Sequence, residues 1–167
     1  MHTNAKLIQS FYTAFQNMDA DGMKNCYHPD VFFSDPAFPE LKGEQVGAMW
    51  SMLIENLKKS KGEWRLEFNQ IQADDTKGSA HWEAHYTLSS TGNQVHNIIE
   101  AQFVFRDGKI VKHVDSFNFY RWARMGFGFK GVLFGWAPFF KKKVQTTVKL
   151  LLIKYMDRIS RERLAKN

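Results

Sequence analysis

The sequence has almost none of what ties a small chain together covalently: Cys26 is its only cysteine in 167 residues. One thiol excludes an internal disulfide, so the fold has to rest on its core, and a cytoplasmic setting is the default expectation. Long hydrophobic runs are missing as well. No stretch reaches the roughly 18 uninterrupted apolar residues of a membrane span, and the opening MHTNAKLIQSFYTAF has no basic start leading into an apolar run, so no signal peptide is expected. A phosphate-cradling glycine loop, a dinucleotide fingerprint and a serine nucleophile elbow are all absent, which argues against nucleotide-dependent and serine-hydrolase chemistry. Acidic residues run out toward the end. Residues 121–167 hold 12 Lys+Arg against 2 Asp+Glu, a charge of +10, while residues 1–120 hold 11 against 15, a charge of −4. The net +6 therefore hides a mildly acidic body, 1–120, and a basic extension, 121–167, expected to pack on the same domain.

Aromatic rings are what the chain has in excess. Fifteen Phe and five Trp in one domain suggest a ring-lined pocket or contact surface. Leu7, Ile8, Phe11, Tyr12 and Phe15 recur at helical spacing and predict a helix over 3–17. Asp19 or Asp21 can cap a short second helix through Tyr27. A strand is expected from Asp30 to Ser34, and a third helix from Gly43 or Glu44 to about Lys59. Four strands follow, over 63–74, 77–90, 95–106 and 109–120, the last two joined by the hairpin signal Arg106-Asp107-Gly108-Lys109. Helices, a strand, a helix and then a meander define an α+β fold, with helices packed on one curved antiparallel sheet. The segment 125–140 reads as irregular or short-helical, and 141–165 as a C-terminal helix.

The stretch YHPDVFFSDP at 27–36 carries the chemistry best. Pro36 removes a backbone donor and holds Asp35 extended. A carboxylate fixed so that it points into an apolar cavity loses water around its charged form, and its pKa rises toward that of a general base. A plain turn is the competing explanation, since Asp-Pro is a common turn dipeptide.

The order of elements, with AFQNMDADG at 14–22, FSDP at 33–36, Gly43 and FVFRDGKIV at 103–111, resembles the nuclear transport factor 2-like superfamily, which includes ketosteroid isomerase and the SnoaL-like polyketide cyclases. The resemblance spans residues 5–120. It implies a cone-shaped curved sheet wrapped by three helices, with an apolar cavity open at one end. It also places Asp35 at the position of the isomerase's proton-shuttling aspartate. The oxyanion donors are not carried over: Phe11 stands where the family has tyrosine, with Tyr12 one residue on, and Ala101 where it has an aspartate, with Glu100 on the opposite strand face. Losing one such donor costs about 100-fold or more in rate, so steroid isomerisation by that route is not expected.

By alignment, His113 and Asp115 face the cavity together with Phe117, either as an acid–base pair or as a satisfied polar pair. Phe15, Trp50, Trp82, Tyr86 and Phe103 would line the same space, or would simply fill it as core. His81, Glu83 and His85 share the outer strand face and read as a solvated or dimer-contact surface rather than a metal site; His28 is a weaker candidate at the cavity end. The expectation is a pocket protein for a small hydrophobic molecule. In one form it is a cofactor-independent isomerase or cyclase with Asp35 as base and His113 and Asp115 passing protons. In the other it is a non-catalytic carrier of a lipid-like ligand. A homodimer through the convex sheet face is expected and nucleic acid is not. The apolar segment 125–140 is read as a lid over the cavity mouth, with helix 141–165 packed on the acidic body; peripheral membrane contact is a second reading.

Overall fold

The computed structural model describes residues 1–166. Helix α1 (Thr3–Gln16) buries Ile8, Phe11, Tyr12 and Phe15, the face set by their spacing. Asp19 then caps α2 (Ala20–Lys24), its carboxylate accepting the Gly22 N–H at 2.9 Å. Strand β1 (Tyr27–Ser34) starts three residues earlier than Asp30. A two-residue strand, β2 (Leu41–Lys42), folds back on it before α3 (Glu44–Lys59). The meander is β3 (Trp64–Ala73), β4 (Lys77–Thr87), β5 (Gln94–Arg106) and β6 (Lys109–Ser116). Asp107 and Gly108 both take positive φ, as a tight hairpin of the primed type requires.

The six strands form one curved, unclosed sheet in the order β2-β1-β6-β5-β4-β3. Its pairings are antiparallel except one: β1 runs parallel to β6, with Phe33 opposite His113 and Ser34 opposite Val114. That pairing returns the first strand to the last, across the width of the domain. It places Asp35, the next residue along, abreast of Asp115. The core lies between the sheet and helices α1 to α3, with Ile8, Phe11, Tyr12, Phe33, Val46, Phe103 and His113 essentially solvent-free.

The last strand ends at Ser116, and the glycine-rich segment that follows is helical. Asn118 caps α4 (Phe119–Phe127) through the Arg121 N–H, and α5 (Phe129–Phe134) and α6 (Pro138–Leu164) complete the chain. Phe119, Trp122 and Ala123 of α4 join Val144 of α6 and Val95 in a second apolar cluster, which meets Tyr86, Leu88 and Phe117 at the sheet. Further along α6, Leu152 enters the main core and Arg158 pairs with Glu55 of α3 at 2.7 Å. The extension thus packs against the body through α4 and α6, while most of α5 stands away from the core.

Gly131 sets how closely α5 approaches α4. A Cβ there would sit 1.9 Å from the carbonyl oxygen of Ala123 and 2.5 Å from its carbon, both backbone atoms that cannot swing aside. Gly131→Ala should therefore destabilise the protein by about 1–3 kcal/mol in urea unfolding, the usual cost of overpacking. An unchanged midpoint would show that the two helices do not pack this way.

Candidate active site

A buried polar chain crosses the aromatic core and ends at the second of two carboxylates. The Trp50 indole N–H donates to the Tyr27 hydroxyl oxygen at 3.0 Å, and that hydroxyl lies 2.7 Å from Nδ1 of His113. Nε2 of His113 lies 2.9 Å from Oδ1 of Asp115, which also accepts the Trp82 indole N–H at 3.4 Å. Because Tyr27 already accepts from Trp50, its own proton can go to Nδ1. The network then assigns the imidazole proton to Nε2, facing Asp115. His113 is fully enclosed and Asp115 is 4% exposed. Burial of such groups is tolerated because every ring nitrogen and the shared oxygen have partners.

Asp35 stands at the rim of the same site and is half-buried. Its Oδ1 accepts the N–H groups of Ala37 at 2.7 Å and Phe38 at 2.5 Å, while its own N–H donates to the Phe38 carbonyl at 2.9 Å. The turn that the Asp-Pro dipeptide suggests is therefore real, and it is the device that fixes the carboxylate. Oδ2 has no hydrogen-bond partner among the described residues. Burial pushes the Asp35 pKa up to about 7, with help from the negative charge of Asp115; the two N–H bonds and the Lys141 ammonium pull the other way. Close by, Tyr86 accepts from the Trp122 indole at 2.8 Å, and burial raises its pKa to about 12.

The remaining rings pack on one another. Phe11 sits edge-on to Tyr12, Tyr27, Trp50 and His113 at centroid distances of 5.2–5.7 Å. Phe15 contacts Trp50 and Trp82, and Phe103 lies over His113 at 4.4 Å. Ala101 pairs with Asp115 across the β5–β6 ladder and is fully buried. Phe117 bridges from the sheet to Trp122 of the lid at 6.1 Å. The Tyr12 hydroxyl is buried with no hydrogen-bond partner, and it lies close enough to Asp115 to feel its charge. Two open surface depressions lie elsewhere, one around Pro29, Phe32 and Gly43 and the other along α1 and α2. What covers the Asp35 end is the extension: Gln145 of α6 donates to the Pro36 carbonyl at 3.0 Å.

Two other sequence candidates fall outside this site. His28 lies beside Arg106, Asp30 and Asp107 at the hairpin end of β1, the end opposite Asp35 and roughly 20 Å away by strand rise. On the outer face, His85 stacks on His96 at 3.9 Å, and Glu83, His85 and His96 offer ligand atoms within 4.8 Å of one another. The residue completing that trio is His96 of β5, while His81 is hydrogen-bonded to Glu100 and Glu83. Arg65 donates toward His85 at 3.0 Å and Glu83 takes His96 at 2.6 Å, so these groups already satisfy one another, with a cation in place.

Residues named by neither motif nor periodicity complete the site. Tyr27 ties His113 to Trp50, and Lys141 and Gln145 approach Asp35 from the extension. Tyr27 belongs to the stretch that contains Asp35, but only the strand pairing reveals its partner.

A half-open curved sheet packed against N-terminal helices is the architecture of the nuclear transport factor 2-like superfamily. The SnoaL-like domain family model matches residues 8–113, and the chain belongs to that family. No curated protein sequence matches it. Among solved structures, a candidate polyketide cyclase from Xanthomonas campestris pv. campestris is 23% identical, with a TM-score of 0.59 over 74% of this chain and 96% of that one. An NTF2-like protein of unknown function from Burkholderia pseudomallei K96243 gives 0.62 at 17% identity, over 75% and 98%. An LEH-like epoxide hydrolase from M. tuberculosis gives 0.56 at 20% identity, over 80% and 91%. At these identities the likeness is one of fold.

The site makes two stability predictions. Tyr27→Phe removes the link between Trp50 and His113 and should cost about 1–3 kcal/mol in urea unfolding, whereas Tyr12→Phe removes an unpartnered hydroxyl and should cost nothing or stabilise. Equal losses from both would show that the polar chain is not formed. The second concerns pH. Asp35 has a folded pKa of about 7 against an unfolded value near 3.9, so between those values the folded state holds a proton that the unfolded state has released. Its contribution to stability is full below about pH 4 and is lost as pH rises through about 7. The stability of Asp35→Asn relative to wild type should therefore climb from pH 4 to pH 7 and then level; a flat difference would contradict the burial of the carboxyl.

Proposed function

We propose that this protein is a cofactor-independent isomerase or cyclase acting on a small hydrophobic carbonyl compound, with Asp35 as the base. One observation carries the reading: Asp35 has one oxygen pinned by two backbone N–H groups and the other without a partner, with a pKa of about 7. Such a group is half-ionised near neutrality and can both take a proton from carbon and give it back. Asp115 is the second carboxylate. It is hydrogen-bonded to His113, which holds it in place and is itself oriented by Tyr27. Family membership and the cyclase-like neighbours support this chemistry over others that could use an acid.

The oxyanion would be met differently from the isomerase arrangement. Phe11 and Ala101 offer no donor, and the Tyr12 hydroxyl, near Asp115, is a buried group with a proton to spare. A substrate would have to displace the α4–α6 lid from the Asp35 end, with Lys141 and Gln145 withdrawing alongside it.

A carrier of a lipid-like molecule remains the second reading, favoured by the same lack of family oxyanion donors and by the exposed apolar side chains of the extension. Turnover of a panel of hydrophobic ketones separates the two. On the enzyme reading, Asp35→Asn lowers kcat by about 100-fold or more with ligand binding retained, and wild-type kcat/KM rises with pH through about 7. Turnover unaffected by the substitution would reject Asp35 as base. Tight binding with no turnover by the wild-type protein would establish the carrier.

A further inference from the structure

Solvent-facing apolar side chains are concentrated in one part of the molecule. Of the twelve large hydrophobic residues that are exposed, ten lie beyond residue 128. Phe129, Trp136 and Phe139 are 77%, 70% and 62% exposed, and Val132, Leu133 and Phe134 lie open between them. Phe134 and Phe139 touch, ring centroids 5.9 Å apart, so the α5 patch runs directly onto the start of α6.

The patch continues along α6. At about 100° per residue, Val144, Val148, Leu152, Tyr155 and Ile159 share the face turned to the body. Phe139, Leu150 and Ile153 share the opposite face, all exposed, spread over roughly 21 Å of helix. Lys142 and Lys149 flank that stripe on one side, Lys143 and Lys154 on the other, all four exposed. From Arg121 to Met156 there are eight Lys or Arg and no Asp or Glu. The helix thus has two apolar faces: one docked on α3 and the lid cluster, the other bare and bordered by ammonium groups.

We propose that the α5 patch and the outer face of α6 dock this protein onto the surface of an anionic lipid bilayer. An apolar stripe between two rows of lysines is the pattern of an interfacial helix, since the rings and leucines enter the acyl boundary while the long lysine stems reach back to the headgroups. The charge complement selects this occupant: a stretch with eight Lys or Arg and no Asp or Glu between Arg121 and Met156 suits a negative lipid layer, and each lysine near it adds to the attraction. Docking is peripheral, because among the described residues no helix is long and apolar enough to cross a membrane. The docked helix covers the Asp35 end with its other face, so the bilayer lies against the lid.

Vesicle co-sedimentation of the full chain tests this. Vesicles of phosphatidylcholine with about 30 mol % phosphatidylserine should bind at least about tenfold more tightly than phosphatidylcholine alone, and raising the salt to about 0.5 M should release the protein. Trp136→Ser with Phe139→Ser, and separately Lys142→Glu with Lys149→Glu, should each lower that binding at least about tenfold while leaving the urea midpoint unchanged, as these side chains are exposed. Equal binding to both vesicle types, no binding by the folded wild type, or a dimer in equilibrium sedimentation that both double variants dissociate while vesicles have no effect, would each overturn the proposal. The last result would assign the face to a second copy of the chain. None of these outcomes depends on whether Asp35 is a base.

Discussion

The parallel pairing of β1 with β6 is the constraint on which the site depends. It joins strands about eighty residues apart in the chain and is the one parallel contact in a sheet otherwise built from local antiparallel pairs. Through it Tyr27 reaches His113, and Asp35 comes level with Asp115. Closing so long a loop is entropically costly, and the aromatic core that packs over it offsets that cost. The same core then makes the polar chain obligatory. With Phe11, Phe33 and Phe103 packed around His113, any unpaired nitrogen there would be desolvated without compensation, so Trp50, Tyr27, Asp115 and Trp82 have to be where they are.

Asp35 is placed by a different logic. Its turn supplies two N–H groups, which favour the charged form, while burial and the nearby Asp115 favour the neutral one. The balance lands near neutrality because these influences oppose one another. The extension enters this balance too, through Lys141, and holds the turn through Gln145. The lid is therefore electrically as well as sterically coupled to the carboxylate. Its outward face is what a purely internal role leaves unexplained, since a helix that only covers a site has no use for Phe139, Leu150 and Ile153 in solvent.

Much of the fold was legible in the sequence because it is local. The α1 face, the alternation of β4 and the Asp107-Gly108 turn follow from periods of 3.6 and 2 and from φ requirements that few residues meet. Three features were not. The parallel β1–β6 contact is non-local and leaves no periodic mark, so neither the start of β1 at Tyr27 nor the partner of Tyr27 can be read from the sequence. Glycines at 126, 128, 131 and 135 leave irregular chain and short helices both open for 125–140; short helices form, and Gly131 is small because two of them cross there. His96, on the neighbouring strand, replaces His81 beside His85, and cross-strand register cannot be read from one strand alone. For the site, motif and resemblance name Asp35, His113 and Asp115, which the strand pairing brings to one end of the sheet, while the rings expected to line an open cavity pack on one another.

The state of the Asp35 carboxyl is the point at which geometry and chemistry meet. A pH titration of the aspartate side-chain carbon resonances by NMR, assigned by comparison with Asp35→Asn, reads it directly. The account predicts a midpoint for Asp35 of about 7. A midpoint near the ordinary value of about 4 would mean that the group is solvated, and the assignment of Asp35 as a base would have to be abandoned.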